Sequence, residues 1–273
     1  MFKQLAIILV NFESYQLTRE LLDSLQNQTD YHFKVFISDL SRTKQSFAHS
    51  VNHHIILGDN KGFAHGNNLA IREAIAQGYE VFAVLNNDTR VDNKFVESCL
   101  QSINLHQNDI IGAKIYYEAG YEYHKNRYTK NDLGHVLWYA GGYTDWRHAY
   151  SIHRGVDEVD QGQYNKTEDT DFITGCFMLY TKATYERIGE WDESYFLYYE
   201  DADFCERAKR KDIRLLYDPS IIIWHKISQS AGGSGSALQK KYQEKNQIKF
   251  CLRYGPLRTS AHLLLNFLLS KVR

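Results

Sequence analysis

The sequence predicts an α/β fold built on a mostly parallel sheet flanked by helices, and three observations carry that expectation. Short apolar runs alternate with helix-spaced segments from residue 5 to residue 105. Two of those runs, LAIILV and VFAVL, contain no polar residue, the pattern of strands covered on both faces. The runs stop abruptly in polar clusters, which therefore gather along the carboxyl edge of the sheet, where open α/β folds bind ligands.

In chain order, LAIILV (5–10) reads as the first strand, with Asn11-Phe12-Glu13 at its tip. Leu17, Leu21, Leu22 and Leu25 follow at helical spacing. FKVFIS (33–38) is the second strand, closed by Asp39. HIIL (54–57) is the third, followed by GDNKGFAHGNN and a helix through Ile71 and Ile75. VFAVL (81–85) is the fourth and ends in Asn86-Asn87-Asp88-Thr89, before a helix from about Asp92 to Leu105. Residues 113–170 are rich in Tyr, His, Gly and Trp with weak periodicity, which predicts short antiparallel strands and long loops. DFITGCFMLY (171–180) reads as a buried strand, and a helix opens at Glu200. One or two further strands end at His225, and the chain is helical from Leu238 onward.

With 43% apolar and 24% charged residues the chain is globular, and a net charge of -1 argues against nucleic acid as its main partner. Four scattered cysteines show no metal spacing and fit buried thiols in a reducing cytosol. The N-terminal apolar run is too short for a signal peptide, and no segment has the apolar length to span a bilayer, so a cytoplasmic protein is expected. The 14% aromatic content suits sugar faces but equally fills cores.

The chemistry-bearing stretches each allow two readings. Asn86-Asn87-Asp88-Thr89 is a turn or cap, or it offers Asp88 to a divalent cation, which needs only one or two protein oxygens beside phosphates and water. His225, at another strand tip, is structural or completes that site. Glu200 and Asp201 either complement a helix N-terminus or place a carboxylate beside an aromatic cleft as a proton acceptor. Gly58, Gly62 and Gly66 follow G-x3-G-x3-G spacing, which is neither a dinucleotide fingerprint nor a P-loop.

Taken in order, ILVNFES, the strand end at Asp39, NKGFAHGNN, LNNDT, DFITGCFMLY, GEWDESYFLYYEDADFCERAKRK and YDPSIIIWH resemble family 2 glycosyltransferases over residues 4–228. These are inverting, nucleotide-sugar-dependent enzymes of the GT-A (Rossmann-like) fold. The likeness is closest to bacterial rhamnosyltransferase-like members that assemble surface polysaccharide. The resemblance implies that Val10, Phe12 and Glu13 line the nucleobase pocket, with Phe12 stacking on the base and Asp39 pairing with its edge. Asn60 and Gly62 would sit beside the nucleoside, and Asn87 near the ribose. Asn86-Asn87-Asp88 takes the DxD position, so Asp88 would bind Mg2+ or Mn2+ with His225 completing the metal or diphosphate site. Asn86 departs from that pattern, since an amide replaces the first acid. Asp201, with Glu200 beside it, would be the general base. Only one catalytic carboxylate is needed, because nucleoside diphosphate is already a good leaving group; hydrolases use two.

The implied donor is a UDP- or dTDP-sugar and the acceptor a glycan or lipid-linked glycan. Among the aromatics Trp138, Tyr139, Trp146 and Trp191, together with His153, Trp191 is the leading acceptor contact because it precedes the ED segment. The implied organisation is a domain over 1–228, with a nucleotide-binding half (1–112) and an acceptor and catalytic half (113–228), then a helical extension (229–273). The closing SAHLLLNFLLSKVR, flanked by Arg253, Arg258, Lys271 and Arg273, fits an amphipathic helix on the inner face of the cell membrane. It equally fits a helix packed on the domain or in a dimer. Two rival functions remain: a sugar-1-phosphate nucleotidyltransferase, disfavoured because ILVNFES lacks a Gly-rich basic loop, and a non-catalytic nucleotide- or glycan-binding descendant.

Overall fold

The apolar runs form strands because their branched side chains pack on a pleated surface buried on both faces. They are β1 (Leu5–Asn11), β2 (Phe33–Asp39), β3 (His53–Leu57) and β4 (Val81–Leu85) in a computed structural model that describes residues 1–45, 47–227 and 237–272. All four are parallel, in the order β4-β1-β2-β3, with β1 pairing on one side with β2 and on the other with β4. The crevice between the tips of β1 and β4 is therefore the point where strand order reverses. Helix α1 (Tyr15–Leu25) follows β1 and α2 (Phe63–Ala76) follows β3, each burying its apolar stripe against the sheet.

The second half is mixed. After β5 (Thr89–Val91) and α3 (Phe95–Leu105) come β6 (Ile110–Tyr117), β7 (Leu137–Tyr139), β8 (Gly142–Asp145), β9 (Tyr150–His153) and β10 (Glu168–Asp169). They lead to β11 (Phe177–Thr181), α4 (Lys182–Ile188), α5 (Glu200–Lys209) and β12 (Leu215–His225). β11 runs antiparallel between β4 and β6, and β12 pairs parallel with β6, so one sheet in the order β10-β12-β6-β11-β4-β1-β2-β3 crosses both halves. The chain closes with α6 (Ala237–Tyr254) and α7 (Leu257–Val272). The expected boundary at 228/229 and the charge of Arg273 lie outside the described residues, as does the side chain of Lys271.

Two sequence expectations are corrected, and one left open is resolved. Residues 171–176 form a loop, and only Phe177–Thr181 is strand, because Thr174-Gly175-Cys176 turns to meet α5. The stretch around residue 113 is not irregular: β6 is an eight-residue strand buried throughout, its Lys114 neutralised by Asp160 at 2.8 Å. The segment before His225 is one eleven-residue strand with a register shift between Asp218 and Ile222, where Pro219 interrupts the ladder. All four cysteines are buried and free of disulfides.

Candidate active site

The polar tips of β1, β4 and β12, the loop before β11, and the start of α5 surround one cavity of about 800 Å³. Val10, Phe12, Asn60, Gly62, Asn86 and Asn87 line it, as do Asp88, Glu200, Asp201 and His225. Glu13, Asp39 and Trp191 do not.

The first wall is built by strand register. Thr89 lies opposite His225 in the β5–β12 pair, and the Lys226 N–H donates to the Asp88 carbonyl at 2.8 Å. That pairing brings Asp88 Oδ1 to 3.1 Å from His225 Nε2 across 137 residues of sequence. Thr89 Oγ1 closes the turn by donating to the Asn86 carbonyl at 2.7 Å, and the Asn86 N–H donates to the Cys176 carbonyl at 2.9 Å. Burial opposes a charged His225. Cys176 and the Asp88 carboxylate, both beside it, outweigh that and hold its pKa well above the ordinary imidazole value. His153, on the other edge of Trp138, is pushed down to about 4 by burial and stays neutral.

Asp88 Oδ1 and His225 Nε2 are separated as neighbouring ligands of an octahedral ion are, since bonds of about 2.1 Å at right angles put ligand atoms about 3.0 Å apart. Among the described residues no third His, Cys, Asp or Glu joins them in a metal-holding group. Two protein ligands suit Mg2+ or Mn2+, which keep water and phosphate oxygens in their remaining positions. Asn86 removes an anion but leaves a hard carbonyl oxygen on the cavity wall.

The second wall holds the acids. Tyr198 and Tyr199, immediately before Glu200, both adopt left-handed backbone (φ 68° and 72°), a conformation costing about 1–3 kcal/mol at each non-glycine residue. The turn delivers Asp201 to the loop before β11, where Oδ2 accepts from the Gly175 N–H at 2.9 Å and Oδ1 from the Ala202 N–H at 2.8 Å. A side chain at Gly175 would crowd it: a Cβ there would lie 3.2 Å from Asp201 Cβ. Burial raises the Asp201 pKa despite those two backbone donors. Burial and the adjoining Asp201 charge raise Glu200 well above the usual carboxylate range, and its Oε2 has no hydrogen-bond partner. Of the two neighbouring acids, Glu200 is pushed further toward its neutral form than Asp201.

A clasp joins the two walls. Gly62 (φ 105°) lies so close to Phe196 that a Cβ would fall 2.2 Å from its carbonyl oxygen, and the Phe63 N–H donates to that oxygen at 3.0 Å. Asn60 sets the approach by accepting from the Gly62 N–H at 3.1 Å.

Three expected contacts take other positions. Trp191 is 1% exposed, so it cannot stack on a sugar. Its ring stacks on Phe204 at 4.7 Å and its Nε1 donates to the Tyr180 hydroxyl, which makes it a pillar beneath the α5 start. Asp39 is buried with both oxygens engaged by Asn11, Tyr15 and the Ser41 N–H, and those donors overcome burial to lower its pKa. Glu13 (φ 53°) accepts from the Arg42 N–H at 2.9 Å and braces the first loop from outside. Asn87 touches the cavity, but its amide donates to Thr18 Oγ1 at 2.9 Å and so ties the β4 tip to α1.

Sequence reasoning missed Gly175, the Tyr198–Tyr199 turn, and Tyr242 and Gln243 of α6, all of which line the cavity. Tyr198-Tyr199 had one visible signal, an aromatic string directly before two acids; α6 had none.

Fold and site together define a GT-A α/β protein, with its ligand cavity at the reversal of a parallel sheet. The chain belongs to Glycosyl transferase family 2, whose model matches residues 6–189. It is similar to the low-salt glycan biosynthesis hexosyltransferase Agl10 of Haloferax volcanii, 26% identical over 79% of this chain and 64% of that protein. It is also similar to the rhamnosyltransferase WbbL of Escherichia coli K12, 24% identical over 91% of each chain. The chain thus spans slightly under two thirds of Agl10 and nearly all of WbbL. Among solved structures, GalNAc-T7 with UDP, GalNAc and Mn2+ shares the fold at a TM-score of 0.64 and 13% identity, covering 90% of this chain and 48% of that one.

Proposed function

We propose that this protein transfers a sugar from a nucleoside-diphosphate donor to an acceptor hydroxyl in a single, inverting displacement. The observation that carries the reading is one cavity with the Asp88–His225 pair on one wall and the Asp201 carboxylate on the other. The tips of β1 and β4 receive the nucleotide, with Phe12 stacking on the base and Asn60 and Gly62 flanking the nucleoside. Asp39 supports that pocket from behind through Asn11 and Ser41.

Asp88 and His225 would hold Mg2+ or Mn2+. Such an ion, when bound, neutralises the charge that grows on the departing diphosphate. Before the ion binds, His225 shares a proton with Asp88, and coordinating the ion would require Nε2 to give that proton up. On the acceptor side Asp201 Oδ takes the hydroxyl proton as the acceptor oxygen bonds to the anomeric carbon. The glycosidic C–O bond to phosphate breaks on the opposite face, so the configuration inverts. Glu200 stays protonated and spares Asp201 a second anion. Trp138 and the tyrosines of the second wall supply the acceptor platform in place of Trp191.

The likeness to rhamnosyl- and hexosyltransferases supports a UDP- or dTDP-sugar donor and a glycan or lipid-linked glycan acceptor, in surface polysaccharide or glycan assembly. No helix among the described residues is long and apolar enough to cross a membrane. Residues 237–273 carry eight lysines and arginines against one glutamate, and Leu257, Leu265, Leu268 and Leu269 of α7 are exposed. That combination supports peripheral contact with an anionic membrane surface on the cytoplasmic side, where a lipid-linked acceptor would be presented. Pairing of two copies through α7 is the alternative.

The test is thermal unfolding with a panel of UDP-, dTDP- and GDP-sugars, with and without Mn2+, followed by NMR of the product's anomeric centre. Stabilisation by a UDP- or dTDP-sugar that strengthens with Mn2+, and an inverted product, are expected. A retained configuration overturns the mechanism.

A further inference from the structure

The segment that carries the acids of the second wall is held by a C-terminal helix. α6 packs along residues 195–203 on both sides of Glu200–Asp201. Lys249 Nζ lies 3.6 Å from the centre of the Tyr195 ring, and Tyr242 stacks on Phe196 at 4.9 Å. Arg253 and the Tyr254 hydroxyl donate to Asp203 Oδ1 at 2.8 and 2.7 Å. Between these contacts sits Asn246, 2% exposed. Its single amide nitrogen donates to the Leu197 carbonyl at 2.9 Å and to the Tyr198 carbonyl at 3.0 Å.

Those two carbonyls belong to the entry of the left-handed turn. Tyr198 and Tyr199 reach positive φ without being glycine, so their conformation persists only while the surroundings impose it. The Tyr199 hydroxyl, donating to the Ala149 carbonyl at 2.9 Å, holds the far side of the turn by its ring. Asn246 is the side chain that holds the backbone itself, and an amide NH2 with two hydrogens suits two convergent carbonyls.

We propose that Asn246 is a positioning residue, which locks the Tyr198–Tyr199 turn and thereby aims the Asp201 carboxylate into the cavity. The inference rests on the reading of Asp201 as the base. It gives the C-terminal helix a part in the chemistry as well as in packing. Proton transfer needs its acceptor within hydrogen-bond reach of the hydroxyl, and a displacement of about 1 Å costs roughly a hundredfold in rate.

The experiment compares Asn246→Ala, the isosteric Asn246→Asp, which has no amide donor, and Arg253→Ala, which loosens the same helix away from the turn. Turnover is release of dTDP from dTDP-rhamnose or of UDP from UDP-glucose, and active protein is counted by UDP or dTDP binding stoichiometry. Per binding site, both Asn246 variants are expected to lose 10- to 100-fold in kcat with donor KM and nucleotide Kd within twofold. Arg253→Ala is expected to keep kcat within twofold. Unchanged kcat per site in both Asn246 variants, a rise confined to KM, or an equal loss in Arg253→Ala overturns the proposal. Asp201→Asn separates the two readings. If it retains turnover, the base assignment falls and the inference with it. If it is inactive while Asn246 variants turn over normally, only the inference falls.

Discussion

One acidic centre lines the cavity and another is buried behind it, and their surroundings are opposite. Asp39, at the tip of β2, accepts from Asn11, Tyr15 and the Ser41 N–H, and its pKa is pulled down even though burial works against it. Asp201, at the start of α5, accepts from the Gly175 and Ala202 N–H groups, yet burial pushes its pKa and that of Glu200 up. A carboxylate saturated with donors is a fixed structural anion. A buried pair left short of donors holds its protons more tightly than an exposed carboxylate does. Asp39 ends a strand and Asp201 opens a helix; the hydrogens aimed at their oxygens set their pKa directions apart, and in the proposed mechanism the first shapes the pocket while the second does the chemistry.

Beyond Asp201 itself, the largest effect belongs to the opposite wall. Asp88→Ala is expected to lower kcat/KM by about 10²–10³-fold, the scale of losing one preorganised electrostatic partner. Excess chelator should suppress the wild type comparably; activity unchanged by chelator would remove the metal from the account. Trp191→Ala should cost about 3–5 kcal/mol in denaturant unfolding because it empties a fully packed site. With Trp191→Phe, acceptor KM should stay near wild type, whereas a large rise would restore the ring to the acceptor site. Gly175→Ala presses a methyl group toward Asp201, and kcat should fall about tenfold with nucleotide affinity retained. The smallest effect is a gain. The raised pKa of Glu200 contributes stability below the unfolded value of about 4.3, and that contribution is lost as pH rises through the folded value. Glu200→Gln should therefore raise Tm at pH 7–8 and give no gain at pH 4. A lower Tm at pH 7–8 would mean that the carboxylate is ionised and satisfied.

The parallel half was legible because local pattern and tertiary role coincide there. VFAVL and LAIILV can only be buried strands, and their tips must meet. The acidic half was not, because its geometry comes from long-range contacts. DFITGC looked like a strand, but Gly175 had to leave the ladder to donate to Asp201. Trp191 looked like a sugar platform from its place beside the ED segment, yet Phe63 and Phe204 enclose it. Asp88 and His225 were joined as one candidate site, but the β5–β12 pairing that makes their contact was not legible, since three residues of β5 are too few to announce a strand. Nothing in α6 marked Asn246, since an amide in a basic helix has no local distinction.

The most direct test measures kcat and nucleoside-diphosphate affinity on the same preparations of Asp201→Asn and Asp39→Asn. Asp201→Asn should lose at least ~10³-fold in kcat and bind UDP or dTDP as the wild type does. Asp39→Asn should weaken that binding and lower stability while kcat stays within a few-fold. Sustained turnover in Asp201→Asn, or a collapse of kcat in Asp39→Asn with binding intact, would contradict the assignment of chemistry to the acids short of donors.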